Sequence, residues 1–199
     1  MPQRNFKLGA KRLLTTDPNP GSGEEASPAS ALPATRAAFI QSAEEQVSGE
    51  SGLFMYSGHV SQQRVQNGPD TCLDLLDGPL SAAEISRVPM PSHVLMAACA
   101  SNGAAGAGAG EWLGLAGNML VAGACQVTAT SWVIFDTPFT AQFESRLALA
   151  ICKTADSAYA LSNSQLAALE QWREQSASMV DLNYGALPRT WASFLAIGW

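Results

Sequence analysis

Two side chains that could act together as nucleophile and base stand at the ends of two apolar runs of this sequence. Cys99 directly follows the run His93–Ala98, and His59 directly follows the run 52–58. A thiol has a reference pKa of about 8.5 and an imidazole one of about 6.5, so a neighbouring imidazole can take the proton and leave a thiolate. A thiolate attacks carbonyl carbon, and acyl transfer is therefore the chemistry that this pair predicts.

The two runs have the character of parallel strands. Residues 93–98 are short and uncharged, which is typical of a strand buried on both faces. Between the runs, residues 81–84 form a capping box that predicts the start of a helix. A strand, helix, strand unit crosses over with a right hand and sets its strands parallel. Because ligands bind beyond the carboxyl ends of such strands, we expect His59 and Cys99 to emerge together where chemistry is usually done.

Cys99 also has a purely structural interpretation, because free cysteine is among the most buried residue types. The second histidine of the chain, His93, precedes Cys99 on the same strand, at a distance of roughly 20 Å for about 3.3 Å per residue. It cannot reach the sulfur from there. We therefore expect His59 to be the base and His93 to be a surface residue at the start of its strand.

The size and charge of the chain exclude several classes of protein. With 199 residues and 47% hydrophobic content, the chain can form one domain with a sizeable core. A formal net charge of -6 and the lack of a basic run argue against nucleic acid as a partner. The sequence has no apolar run of roughly 18 residues and no signal peptide near Met1, so we expect neither a membrane partner nor secretion.

The cysteines are spaced singly along the chain, without the paired spacing of a zinc site: Cys72, Cys99, Cys125 and Cys152. A disulfide framework is not expected at this chain length. The sequence therefore predicts no metal and no cofactor, and a reducing cytoplasm as the location.

The first 33 residues differ in composition from the rest. Residues 1–14 include a short basic amphipathic piece that predicts a helix fragment, and residues 15–33 are rich in Pro, Gly, Ser and Glu, which predicts a mobile loop. A folded domain is predicted over residues 34–199. Its further predicted elements are helices at 35–46, 112–122, 139–151 and 161–173 and strands at 126–134 and 191–197.

Two loops are predicted beside the reactive pair. Residues 57–71 are polar and lead through a turn signal into the alternating run 72–75, which predicts a β-hairpin next to His59. Residues 102–110 contain a GxGxG run, but Glu111 stands where a dinucleotide fingerprint needs glycine, and no GK[ST] follows. A flexible loop beside the nucleophile is the better interpretation.

Five segments of the chain carry a family pattern, and they follow one another in the family's order: Gly58-His59, 77–85, 93–99, 110–136 and 189–198. Together they resemble the CHAT domain, a caspase-like cysteine peptidase domain often found with TPR repeats. The resemblance implies an α/β fold of the caspase-haemoglobinase type, with three α/β/α layers and a six-stranded, mostly parallel sheet. It also implies a His59–Cys99 dyad that hydrolyses peptide bonds, and control by an attached repeat or sensor protein.

The chain departs from the family pattern beside His59. The family usually reads Gly-His-Gly, whereas this chain has Val60 as the third residue. In related peptidases the backbone N–H groups of that residue and of the cysteine stabilise the oxyanion, and these roles fall here to Val60 and Cys99. A β-branched residue resists backbone conformations that are open to glycine.

The start of the chain is a second departure. CHAT domains usually begin with a strand ahead of the first helix and often place another before the second helix. Neither strand is visible in the sequence. We therefore expect either an N-terminal truncation or the loss of one edge of the sheet.

Asp136 follows the predicted strand 126–134 and is expected to face the same crevice as Cys99. A carboxylate in a partly buried pocket is costly unless it is paired. Asp136 would therefore either bind a basic substrate side chain or cap the turn that Thr137 and Pro138 begin.

Three functions remain open at this point. The first is a cysteine endopeptidase of caspase-like type acting on a protein or peptide substrate. The second is a catalytically silent CHAT-like interaction module, motivated by Val60 and by the missing strands. The third is an unrelated acyl-transfer enzyme that uses the same pair of residues.

Overall fold

A mixed β-sheet lies between two layers of helices in the computed structural model of the chain. The structure describes residues 12–15, 32–47, 53–65, 68–99, 101–102, 114–134, 137–177 and 187–198. The strands are β1 (Arg12–Thr15), β2 (Leu32–Pro33), β3 (Leu53–Val65), β4 (Gly68–Leu75), β5 (Gly78–Ser81), β6 (His93–Ala98), β7 (Gln126–Thr130) and β8 (Phe194–Gly198). The helices are α1 (Arg36–Val47), α2 (Ala82–Ile85), α3 (Leu115–Val121), α4 (Pro138–Thr154), α5 (Ser157–Ala177) and α6 (Pro188–Trp191).

Six strands form the main sheet in the order β2-β1-β3-β6-β7-β8. The first five run parallel to one another, and β8 pairs with β7 in the antiparallel sense. The predicted α/β class with a mostly parallel sheet is therefore confirmed. The last predicted strand begins later than expected, because the residues just before it form α6.

Strand β6 is buried along its whole length, as a strand covered on both faces must be. Its side chains alternate between two apolar clusters. Val94 and Met96 pack in the cluster that contains Phe39 of α1, whereas Leu95 packs in the cluster that contains Leu147 of α4. The three predicted layers follow directly from this alternation.

The N-terminal strands correct two predictions. Arg12–Thr15 is a strand between β2 and β3 and not the end of a helix fragment, and Leu32–Pro33 pairs with it. The strand expected to be missing just before α1 is therefore present as Leu32–Pro33, whereas the family's first strand would fall within residues 1–11. Parallel pairing with β3 supplies backbone hydrogen bonds that outweigh the local helical pattern, since strand propensity depends on cross-strand context. Residues 1–11 and 16–31 lie outside the described residues, so the division of the chain after residue 33 stays a prediction.

The predicted hairpin beside His59 is confirmed. Strand β3 continues beyond the parallel sheet and pairs with β4 in the antiparallel sense, and β4 pairs in turn with β5. The capping box at the start of α2 is also present: Ser81 Oγ accepts from the Glu84 N–H at 3.2 Å, and Glu84 Oε2 accepts from the Ser81 N–H at 3.0 Å. The Ser81 N–H, and after it the Arg36 guanidinium, hold the pKa of Glu84 below its usual value.

Candidate active site

Parallel pairing of β3 with β6 brings His59 and Cys99 to adjacent positions. The last described pair of this ladder is Gly58 with Ala98, so His59 and Cys99 are each the next residue along their chains. Neighbouring strands lie about 4.8 Å apart, and this spacing applies to Gly58 and Ala98, the residues directly before the two candidates.

Both side chains also belong to the same face of the sheet. By strand alternation His59 lies on the face of Leu53, whose side chain packs in the cluster of α4 and α5. The Cys99 thiol donates to the Ile134 carbonyl at 3.4 Å, and Ile134 packs against that same cluster. Sequence reasoning had placed the two residues at one edge of the sheet; the structure adds their shared face.

Cys99 is half-buried, and this sets it apart from the other buried thiols. Cys72 and Cys152 are buried, and Cys125 is exposed; all four cysteines are free. Burial, and after it the charge of Asp70, raises the pKa of Cys72, which keeps that thiol protonated. Cys99 is the cysteine that combines partial exposure with a neighbouring histidine on the adjoining strand.

His59 is exposed and stands directly opposite Asp74 on β4. The hydroxyl of the fully buried Tyr56 contacts the His59 carbonyl at 3.2 Å and the Asp74 carbonyl at 3.1 Å, so one side chain holds both strands at this point. The Asp74 carboxylate accepts a hydrogen bond from the Ser61 hydroxyl. Sequence reasoning did not single out Tyr56 or Asp74, because the hairpin register that opposes Asp74 to His59 was not fixed by the turn signal alone.

His93 lies at the opposite end of β6, and the prediction that it is a surface residue is wrong. The residue is 7% exposed, and its Nδ1 lies 3.3 Å from the Ser157 hydroxyl at the start of α5. Helix α5 covers this end of the strand, a contact between residues far apart in sequence. Burial lowers the pKa of His93, against the opposing effects of the Asp156 charge and a hydrogen bond with Gln126.

Residues 26–199 match the family described as the CHAT domain. The chain belongs to the CHAT domain family. Membership gives it the caspase-like, peptidase-related fold of that family. A search of curated proteins finds no match to the chain.

Val60 of this CHAT domain continues the regular strand. It pairs with Leu73 of β4, is half-buried and packs against the core cluster of α1 to α3. Among the described non-glycine residues Ala155 alone has a positive φ, so Val60 has a backbone conformation that any residue can adopt. The valine therefore fits its place in the strand without strain.

The rim of the site on the β7 side is a short apolar segment. Strand β7 ends at Thr130, four residues before the predicted end, and the segment 131–134 turns toward Cys99. Trp132 and Val133 are 44% and 61% exposed there, and the Trp132 indole N–H donates to the Arg189 carbonyl at 2.7 Å. Asp136 and the glycine-rich residues 103–110 lie outside the described residues.

The described part of the CHAT domain holds neither a cluster of metal ligands nor a helix suited to cross a membrane. No group of three or more His, Cys, Asp or Glu side chains there could hold a metal ion. None of the helices described combines the length and apolar character that a membrane crossing requires.

Proposed function

We propose that this CHAT domain is a cysteine endopeptidase in which Cys99 is the nucleophile and His59 the general base. The observation that carries the proposal is the register of β3 with β6, which ends at Gly58 opposite Ala98. A general base must come within hydrogen-bond reach of the proton it takes, and the proposal places His59 within that reach because each residue directly follows the last pair of the ladder.

The reaction would proceed in two acyl-transfer steps. His59 takes the proton of the Cys99 thiol, and the thiolate attacks the carbonyl carbon of the peptide and forms a C–S bond. The C–N bond then breaks, and His59 returns the proton to the leaving amine. Water attacks the thioester while His59 takes its proton, the C–S bond breaks, and the acid and the free thiol are released.

The backbone N–H groups of Val60 and Cys99 are the proposed oxyanion donors. Preorganised donors lower the barrier because they are in place before negative charge develops on the carbonyl oxygen. The exposed Trp132 and Val133 offer apolar surface to a side chain of the bound peptide. Asp136 is the proposed partner of a basic substrate side chain, and an attached repeat or sensor protein is the proposed regulator.

A catalytically silent interaction module is the second candidate. The observation that favours it is Val60, which takes the place of the family's usual glycine and packs against the core. If the oxyanion hole needs a backbone conformation open to glycine alone, this chain would bind a peptide without cleaving it.

Labelling with a peptide that carries an acyloxymethyl ketone tests the proposal. We expect one label per chain, found on Cys99 by mass spectrometry, and lost in Cys99→Ala. The matched control is Cys125→Ala, which removes an exposed thiol away from the pair and should label like the wild type.

A peptide library then separates the candidates. Labelling together with cleavage of peptides supports the endopeptidase, whereas labelling without cleavage indicates another acyl-transfer enzyme. A folded protein whose Cys99 does not react would favour the silent module.

A further inference from the structure

A reciprocal pair of buried hydroxyl groups lies directly behind the candidate nucleophile. Ser101 follows Cys99 by two residues, Thr130 ends β7, and both are fully buried. Ser101 Oγ accepts from the Thr130 N–H at 3.0 Å, and Thr130 Oγ1 accepts from the Ser101 N–H at 3.4 Å. Each hydroxyl then donates to a carbonyl of β6: Ser101 to Met96 at 3.3 Å, and Thr130 to Ala98.

These bonds take the place of a strand ladder. The described pairs between β6 and β7 run from His93 with Gln126 to Leu95 with Thr128, and β6 continues three residues beyond the last pair. The backbone polar groups beyond it are buried, and leaving such groups unpaired is costly. Where the strands part, the two hydroxyls bond to the carbonyls of Met96 and Ala98, so these two groups avoid that penalty.

The same bonds close a turn at Cys99. The Ser101 N–H donates to the Ala98 carbonyl at 3.2 Å, which makes Cys99 the first central residue of a β-turn. The next residue, Asn102, donates its N–H to the Thr130 carbonyl at 2.9 Å. The segment after the nucleophile is therefore tied to β7 on both sides of the Ser101 side chain.

The direction of the Cys99 N–H follows from this arrangement. Thr130 holds the Ala98 carbonyl on the β7 side. Because a trans peptide is planar, its C=O and N–H point in opposite directions. The Cys99 N–H is thereby directed toward β3, the strand that carries His59 and Val60.

We infer that Ser101 and Thr130 are positioning residues that fix the turn at Cys99 and the direction of its backbone N–H. The inference rests on the proposed function, because that direction affects the rate only if the N–H is an oxyanion donor. Neither side chain reaches the substrate; both act through the peptide unit between Ala98 and Cys99.

Three variants of the full chain test the inference. Thr130→Val removes the hydroxyl with little change of shape, and Thr130→Ser keeps it. Thr128→Val is the matched control: Thr128 lies on the same strand and is fully buried, but within the described residues its hydroxyl has no hydrogen-bond partner. All three are made with Cys125→Ala, which removes the exposed thiol from alkylation assays.

The readout separates positioning from general structure. Iodoacetamide reacts at a saturated carbon and forms no oxyanion, so its rate with Cys99 reports the thiol alone. We expect Thr130→Val to lower kcat on a reporter peptide by about 10- to 100-fold while KM and the alkylation rate stay within about twofold. Thr130→Ser should recover most of the loss, and Thr128→Val should match the wild type.

Two outcomes would overturn the inference. One is a kcat in Thr130→Val equal to that in Thr128→Val. The other is a fall in kcat matched by an equal fall in the alkylation rate and a lower Tm, which would assign Thr130 a structural role. If Thr130→Val does not fold, Ser101→Ala removes the other hydroxyl and is judged by the same measurements.

Amide hydrogen exchange keeps this test separate from the proposed function. We expect the Ser101 and Asn102 amides to exchange slowly in the wild type, faster in Thr130→Val and unchanged in Thr128→Val. A wild type that cleaves no peptide would overturn the proposed function and the catalytic role of the pair. Unchanged exchange in Thr130→Val would overturn the pair's hold on the turn even in an active enzyme.

Discussion

The two ends of strand β6 carry similar chemistry in opposite environments. At the amino end, His93 is buried against Ser157 of α5. At the carboxyl end, Cys99 is half-buried and the neighbouring His59 is exposed. The histidine that a helix covers is part of the core, whereas the exposed histidine next to Cys99 is the proposed base.

Buried polar groups are hydrogen-bonded at both ends of β6. At the amino end the Ser157 N–H donates to the Gln126 side chain at 2.7 Å, so the polar groups near His93 bond to one another. At the carboxyl end the hydroxyls of Ser101 and Thr130 are buried and bonded on the β7 side. At this same end His59 is exposed and Cys99 is half-buried, so the candidate pair is accessible.

Replacing each of the two histidines in turn is the strongest test of this comparison. We expect His59→Ala to lower kcat by at least about 100-fold, because it removes the proposed general base. The same change should leave Tm unaltered, since His59 is exposed. His93→Gln is the matched control and should keep kcat within about twofold at a temperature where the protein is folded. An active His59→Ala would show that His59 is not the base.

Acid should destabilise the buried end of β6, where His93 lies. Burial lowers the pKa of His93 in the folded protein below the ordinary value of about 6.5. The unfolded chain therefore binds the proton first as the pH falls. The stability linked to His93 is fully present above about pH 6.5 and is lost between that value and the lowered folded-state pKa.

Chemical denaturation at about pH 7.5 and about pH 5.5 checks this expectation. The wild type should lose free energy of unfolding over that interval, and His93→Gln should lose less. The chain has two histidines, so His59→Gln is the matched control and should keep the wild-type pH dependence. Equal pH dependence in both variants would contradict the prediction.

The buried Tyr56 hydroxyl supports the strands next to the candidate site, and its removal should weaken that support. Tyr56→Phe removes the hydroxyl that contacts the carbonyls of His59 and Asp74 but keeps the buried ring. We expect the free energy of unfolding to fall by about 1 kcal/mol, the usual net value of a hydrogen bond, together with a smaller kcat. Tyr159→Phe alters an exposed tyrosine and should change neither quantity. If urea denaturation finds the two variants alike, the Tyr56 hydroxyl does not support the site.

The smallest expected effect is that of Val60→Gly. Restoring the family's usual glycine should raise kcat by less than about tenfold if valine misaligns an oxyanion donor. It should also lower stability, because Val60 packs against the core and glycine weakens a strand. Steady-state kinetics and thermal unfolding measure the two effects. A loss of stability with no gain in kcat would show that the site functions with valine as it stands.

Much of the site could be predicted from local patterns and chain order. The apolar run 93–98 indicated a strand, and residues 81–84 indicated the helix between the two strands. A crossover connection through that helix predicted that β3 and β6 run parallel, which brought His59 and Cys99 to one edge. These inferences succeed because they depend on residues close together in sequence and on a general rule of connection.

The sequence by itself thus determined the candidate residues of the site, the strands that carry them and the edge at which they meet. The tertiary structure alone decided that Arg12–Thr15 is a strand, that His93 is buried and that Ser101 bonds to Thr130. His93 and Ser157 are 64 residues apart, and Ser101 and Thr130 are 29 apart. Local propensity acts over a few residues, whereas burial and cross-strand pairing arise from contacts that form only when distant segments pack together.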